Sequence, residues 1–287
     1  MRALKGSLIC VLFLVSPRPV SAACAWNTPP TVIAFGSYSV FSTSDVNMLE
    51  QMSFTCKAKD YARLTLSPGS GSFVPYRTMP TGTTPAAAYN VYLDAGGTQI
   101  WGDDTGGVAY FTATGDTSYT VSMFGIMPGG QDLPVGTYGD TLMATLADAK
   151  QPTGPWTNHR PVAVSVSVTI LLECRIDAFN LDFGAYNPFS PPPVDRSTLL
   201  KVYCTKGGAP TSVALNSGTY ALGAQKRMSD GAGTFLDYSA SLASTAGAST
   251  SSLVPINGGF AVNGNVPAQQ DVCVGAYNDT LVATVNY

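Results

Sequence analysis

The chain has 287 residues, a formal net charge of −3 and only 11% charged residues. Such a weak, slightly acidic balance argues against a nucleic-acid groove, which needs clustered lysine and arginine. The length fits about two ordinary domains, and no segment after the N-terminal one is long and apolar enough to cross a bilayer.

Residues 1–23 carry Arg2 and Lys5, an apolar run over 8–15 and the small Ser21-Ala22-Ala23, which reads as a secretory signal peptide cut before Cys24. A lipoprotein reading is also open, although Ser21 stands where a lipid-attachment signal usually has a leucine-like residue. Cys10 leaves with the signal. In the oxidising compartment beyond, the spacing of the remaining cysteines proposes Cys24–Cys56 and Cys174–Cys204. Cys273 is left over, either as a buried thiol or as a cross-link to another chain.

From Cys24 onward the pattern is that of short strands. Met52-Ser53-Phe54-Thr55-Cys56, Leu64-Thr65-Leu66, Tyr89-Asn90-Val91-Tyr92-Leu93 and Tyr119-Thr120-Val121-Ser122-Met123 alternate, with Gly, Pro, Asn and Asp clusters between them. Residues 161–172 follow. Val162, Val164, Val166, Val168, Ile170 and Leu172 occupy the even positions, and small residues fill most of the odd ones. A period of two over this length makes a strand with one core-facing face. Six such side chains, at roughly 1.5–3 kcal/mol each, exceed the net stability of many domains, so the strand must be buried. Further on, Leu199-Leu200-Lys201-Val202-Tyr203-Cys204 and Ser212-Val213-Ala214-Leu215 read as strands. No long amphipathic helix is evident. The whole is all-β, with the strand spacing of a sandwich.

The pattern occurs twice. Phe35-Gly36-Ser37-Tyr38 precedes Cys56 at the same distance as Phe183-Gly184-Ala185-Tyr186 precedes Cys204. Tyr76-Arg77-Thr78-Met79 answers to Gln225-Lys226-Arg227-Met228, and the run 133–142 (LPVGTYGDTL) answers to 272–281 (VCVGAYNDTL). Cys273 takes the place of Pro134, outside the shared disulfide.

These residues, with Ile100-Trp101-Gly102-Asp103 and the terminal VGAYNDTLVATVNY, resemble the spore coat protein U domain of Csu-type (archaic) chaperone–usher pili. The resemblance implies two immunoglobulin-like sandwiches, the C-terminal one a six-stranded pilin domain lacking its last strand. It also implies a periplasmic chaperone, an outer-membrane usher and a neighbouring pilin that donates a strand as partners, and a host or abiotic surface as target. Two-domain members look like tip adhesins. The division expected is 24–160 for an adhesin-like domain, 161–173 for the linking strand and 174–287 for the pilin domain. The first unit lacks the apolar extension before its first cysteine, so the chain is expected to accept a strand without offering one. Residues 161–172 either complete the first sandwich or begin the second. The acceptor edge expected is Leu281, Ala283, Val285 and Tyr287, which share a face.

Strand direction then places the loop 147–160 at the far tip, where Pro155 and Trp156 are candidate surface-binding residues. Trp156 equally fits packing under its own loop. Ile100, Tyr110 and Phe111 are expected at the same pole, and Phe73 and Val74 form a further apolar loop at the opposite one. Nothing points to catalysis or a cofactor. His159 is the one histidine, and no nucleophile elbow, H-E-x-x-H, C-x-x-C or phosphate loop occurs. Asp103-Asp104 reads as an acidic turn rather than a calcium loop.

Overall fold

The computed structural model describes residues 24–287, apart from 58–59, 83–84, 104, 114–116 and 244–246. The signal-peptide reading and Asp104 therefore lie outside the described residues. Among the described residues the first sandwich contains ten strands: β1 (Cys24–Thr28), β2 (Val32–Tyr38), β3 (Val46–Cys56), β4 (Tyr61–Leu66), β5 (Arg77–Met79), β6 (Ala87–Tyr92), β7 (Tyr110–Ala113), β8 (Thr117–Met127), β9 (Gly136–Ala149) and β10 (Thr157–Ile170). Two sheets, ordered β1-β3-β8-β6-β5 and β2-β10-β9-β4-β7, face each other across one core.

The alternating segment lies inside the second sheet, between β2 and β9. β10 runs antiparallel to β9 from Thr157↔Asp148 to Ile170↔Gly136, and parallel to β2 with Val166↔Ile33 and Ile170↔Tyr38. Its Val164, Val166, Val168 and Ile170 are buried and Val162 is half-buried. The strand is displaced from the span 161–172. It starts earlier because β9 continues to Ala149 and keeps offering ladder partners, so the distal loop shortens from 147–160 to 150–156. It stops at Ile170, and Leu172, 36% exposed, leaves the first core to cover Gly208. Left-handed Gly36 (φ 72°) lets β2 bulge where its register with β10 shifts, and Gly184 repeats that backbone (φ 73°) in the second unit.

The second sandwich contains β11 (Cys174–Ile176), β12 (Val194–Leu200), β13 (Val202–Cys204), β14 (Ser212–Leu215), β15 (Lys226–Ser229), β16 (Phe235–Leu242), β17 (Phe260–Val266) and β18 (Ala283–Asn286). One sheet is β12-β17-β16-β15. β11 pairs with β13, and β14 with β18. The run 199–204 is two strands rather than one, because β12 bonds to β17 while β13 bonds to β11, and the ladders part at Lys201. Each disulfide joins directly opposed residues: Cys24–Cys56 between β1 and β3, and Cys174–Cys204 between β11 and β13. Closing loops of 32 and 30 residues is worth roughly 3–4 kcal/mol each in the chain-entropy account.

The units meet through polar contacts. Asp132 accepts from the Ser251 hydroxyl (2.6 Å) and the Ser252 N–H (2.7 Å), and the Val135 N–H donates to the Lys206 carbonyl (3.0 Å). The Ser39 hydroxyl bonds to Glu173, and the Arg175 guanidinium lies 5.4 Å from the Phe41 ring centroid.

Candidate functional site

The two sandwiches differ where β10 would be. In the first, β9 has β10 on one side and β4 on the other. In the second, β18 pairs with β14, and the counterpart of β2, residues 181–186, forms no strand. Between residues 176–189 and 269–283 lies an open groove of about 1600 Å³. Its floor is Phe183, Met228, Leu236, Tyr238 and Val266, a small core of its own. Leu281, Ala283 and Val285 are half-buried and Tyr287 is exposed. Phe189, 90% exposed, and Val274 stand bare at the rim. Such an apolar groove beside an unpaired strand edge is suited to adding an extended segment.

The wall that faces β10 in the first sandwich is Tyr138, Asp140, Leu142 and Ala144. The repeat puts Tyr277, Asp279, Leu281 and Ala283 in those places, the same four residue types. The polar anchoring is duplicated as well. Tyr89 donates to Asp140 at 2.6 Å and Tyr238 to Asp279 at 2.7 Å. The Tyr138 hydroxyl bonds to the Pro134 carbonyl and the Tyr277 hydroxyl to that of Cys273, both at 2.9 Å. Arg77, fully buried, donates to the Ser67 carbonyl (3.1 Å), and Lys226 to that of Asn216 (2.7 Å). Arg77 also bonds to Asn90 and to the Trp101 carbonyl, and burial pushes its guanidinium down to about 10. The residue types of these pairs were visible in the sequence. Their contact was not, because each spans strands from different parts of the chain.

Burial raises the Tyr238 phenol well above its ordinary value, and the bond to Asp279 and its charge push the same way. Burial and Asp140 do the same for Tyr89. A group with a raised folded-state pKa stabilises fully below the ordinary tyrosine value, near 10, and loses that contribution as pH rises. Tyr238→Phe should therefore cost about 1–2 kcal/mol at neutral pH, and the difference from wild type should shrink above pH ~10. Urea midpoints across that range check it; a difference that does not change with pH would refute the assignment.

The distal loop holds Trp156 in a half-buried position, with the Arg63 guanidinium 5.7 Å from its ring centroid; Pro155 is exposed. His159 sits on β10, its Nε2 3.2 Å from the Trp156 carbonyl oxygen. Of the other loop candidates, Phe111 stands opposite Arg63, the residue whose guanidinium lies over Trp156. Phe73 is buried (6% exposed): it lies under the Arg77 guanidinium, 4.7 Å away, and against Gly106, where it is both desolvated and paired with a cation. Its neighbour Val74 is 71% exposed. Ile100 is half-buried and bridged to Tyr92 on the sandwich flank, and half-buried Tyr110 is packed on the first core in β7. Phe111 pairs with Arg63 through its backbone, and its side chain lies outside the described residues. Cys273 is exposed rather than buried, because the segment before Tyr277 has no strand beside it.

The fold is an all-β pair of immunoglobulin-like domains, the second with an open edge. The sequence profile of the Spore Coat Protein U domain matches residues 10–145 and 161–284, and the chain belongs to that family. Protein U of Myxococcus xanthus is 35% identical over 79 residues, 27% of this chain and 44% of that protein, so the chain spans less than half the length of this relative. Among solved structures, a chain of the CsuC-CsuE chaperone–tip adhesion subunit pre-assembly complex, from the archaic chaperone-usher Csu pili of Acinetobacter baumannii, superposes with a TM-score of 0.52. It is 16% identical, and the match covers 92% of this chain and 100% of that one. The CupB6 tip adhesin of Pseudomonas aeruginosa gives a TM-score of 0.40 at 14% identity over 92% of this chain and 94% of its own.

Proposed function

We propose that this protein is an exported subunit of an archaic chaperone–usher pilus, carried at the fibre tip as its adhesin and without enzymatic activity. In this reading the first domain is residues 24–170, with β10 as its own last strand, and the second is a pilin domain over 174–287. The second accepts a strand first from a periplasmic chaperone and then, at the outer-membrane usher, from the next pilin. The observation that carries the reading is the contrast between the domains: the same four wall residues are covered by β10 in one and face an open groove in the other. The superposition with the Acinetobacter complex supports the fold that this assembly requires.

A deletion strain tests it. Fibres that persist without adhering identify an adhesin, whereas loss of fibres identifies an initiating adaptor or minor structural pilin. Binding to a glycan array with unchanged attachment to plastic identifies a lectin.

Half-buried Trp156 and exposed Val74 of the first domain are the candidate contacts. Trp156→Ala combined with Val74→Ser should lower attachment to hydrophobic plastic by at least several-fold, through lost apolar contact area. The amount of fibre on the cell surface should not change. Undiminished attachment would exclude these loops.

A further inference from the structure

The repeat extends to the pole by which the first sandwich meets the second. There the Tyr38 hydroxyl donates to the Pro128 carbonyl (2.9 Å) and accepts from the Gln131 N–H (2.9 Å). The Gln131 side chain accepts from the Ala88 N–H (2.7 Å) and donates to the Ala88 carbonyl (2.9 Å). In the second sandwich the Tyr186 hydroxyl donates to the Pro267 carbonyl (3.0 Å) and accepts from the Gln270 N–H (2.7 Å). Gln270 makes the same pair of bonds with Asp237, at 2.8 and 2.9 Å. The turn after each tyrosine is repeated too. The Phe41 N–H donates to the Ser39 hydroxyl and the Ser42 N–H to the Ser39 carbonyl; the Phe189 N–H donates to the Asn187 side-chain oxygen and the Ser190 N–H to the Asn187 carbonyl. One frame thus carries two sets of residues in matching places: Phe41 and Phe189, Asp132 and Asp271, Pro134 and Cys273, Val135 and Val274.

In the first sandwich each of these meets the second domain. The Arg175 guanidinium lies over Phe41, Asp132 accepts from Ser251 and Ser252, Pro134 is bridged to Lys206, and the Val135 N–H donates to the Lys206 carbonyl. In the second sandwich the same set is bare. Phe189 is 90% exposed, and Asp271, Cys273 and Val274 are exposed.

We infer, resting on the pilus reading, that this far pole of the second sandwich is a docking face for the body of the neighbouring subunit, a copy of the joint already made inside the chain. The contact is between domain ends and is separate from any strand that enters the groove. The partner it fits is a domain of the same family with three features. A basic residue directly follows its first cysteine, as Arg175 follows Cys174, and lies over Phe189. The main-chain carbonyl two residues after its second cysteine, as in Lys206, accepts from the Val274 N–H. A serine turn like 251–252 donates to Asp271. A second copy of this chain does not fit. Its own first domain covers that end of its second, and its distal pole has Ala25 where Arg175 stands.

The test is a tandem in which a copy of residues 149–287 follows Tyr287, so that the chain's own second domain, with Arg175 and the 251–252 turn, is the probe. The appended copy carries Cys273→Ser and Lys206→Cys. The original Cys273 then faces the new cysteine as Pro134 faces Lys206, a main-chain pairing that brings two side chains into disulfide range. This disulfide should form at least tenfold faster than in a tandem whose appended copy carries Leu222→Cys, on an exposed hairpin, in place of Lys206→Cys. Asp271→Ala with Phe189→Ser in the original copy should slow it several-fold, and so should Arg175→Ala in the appended one. Filling of the groove is read separately, as a raised melting temperature of the original second domain, which these substitutions should leave in place. A raised melting temperature with coupling no faster than the Leu222→Cys control overturns the docking face and leaves the pilus reading standing. Fast coupling that the substitutions do not slow overturns the named contacts. Neither a raised melting temperature nor preferential coupling would sink both.

Discussion

Replacing Val166 by aspartate should unfold the N-terminal sandwich while leaving the C-terminal one folded. Val166 is buried at the middle of β10, between Ile33 on β2 and Asp140 on β9. The Asp140 carboxylate is already engaged by the Tyr89 hydroxyl, the Ser70 N–H and hydroxyl, and the Thr141 N–H. A second carboxylate opposite it would find no donor and would meet a like charge in a desolvated core. Burying an unpaired charge costs several kcal/mol, against a net stability of about 5–15 kcal/mol for a whole domain. Val166→Ala, which only removes apolar volume, should cost roughly 2 kcal/mol. Ser165→Asp points outward and should stay within about 0.5 kcal/mol of wild type. Calorimetry should show the first domain's transition missing in Val166→Asp and retained in the other two. An unchanged transition in Val166→Asp would mean that β10 is not part of that core.

The second large effect is a gain. The repeat puts Tyr287 in the place of Asp148, so a copy of residues 149–170 appended after Tyr287 carries the distal turn and strand of the first domain into the open groove. With that edge filled, the C-terminal domain should melt on the order of 10–20 °C higher, since each kcal/mol is worth about 4–8 °C in a domain of this size. The same extension with one residue inserted before its Val162 is the control. A one-residue slip turns every valine to solvent and every serine to the core, and that version should give little or no rise. Equal stabilisation by both would show that the groove does not read side chains.

Much of the architecture was legible because it rests on local periodicity. The alternation from Val162 to Ile170 marks a strand wherever it ends up, and two cysteine pairs with matching flanks reveal the duplication. The rest depended on partners distant in sequence. Phe73 looks like an exposed apolar loop residue until Arg77 is found above it. Trp156 is held by Arg63 from β4, which no pattern near residue 156 indicates. Residues 199–204 read as one unbroken strand, yet they divide at Lys201 because the two halves belong to different ladders. Leu172 continues the alternation past the end of the strand, where it serves the junction instead. The Tyr–Asp pairs and buried Arg77 required the register of β5 on β6 and of β15 on β16.

The course of β10 has a mechanical consequence. It spans its sandwich from the distal loop to the junction and passes within three residues to β11, which the Cys174–Cys204 bridge clamps. A pull between the far pole and the second domain therefore draws along the strand's own axis. Its ladders to β2 and β9 lie across that line, so their bonds must shear together rather than unzip one after another. A closing strand that is also the tether lets the molecule resist tension through many weak bonds acting in parallel.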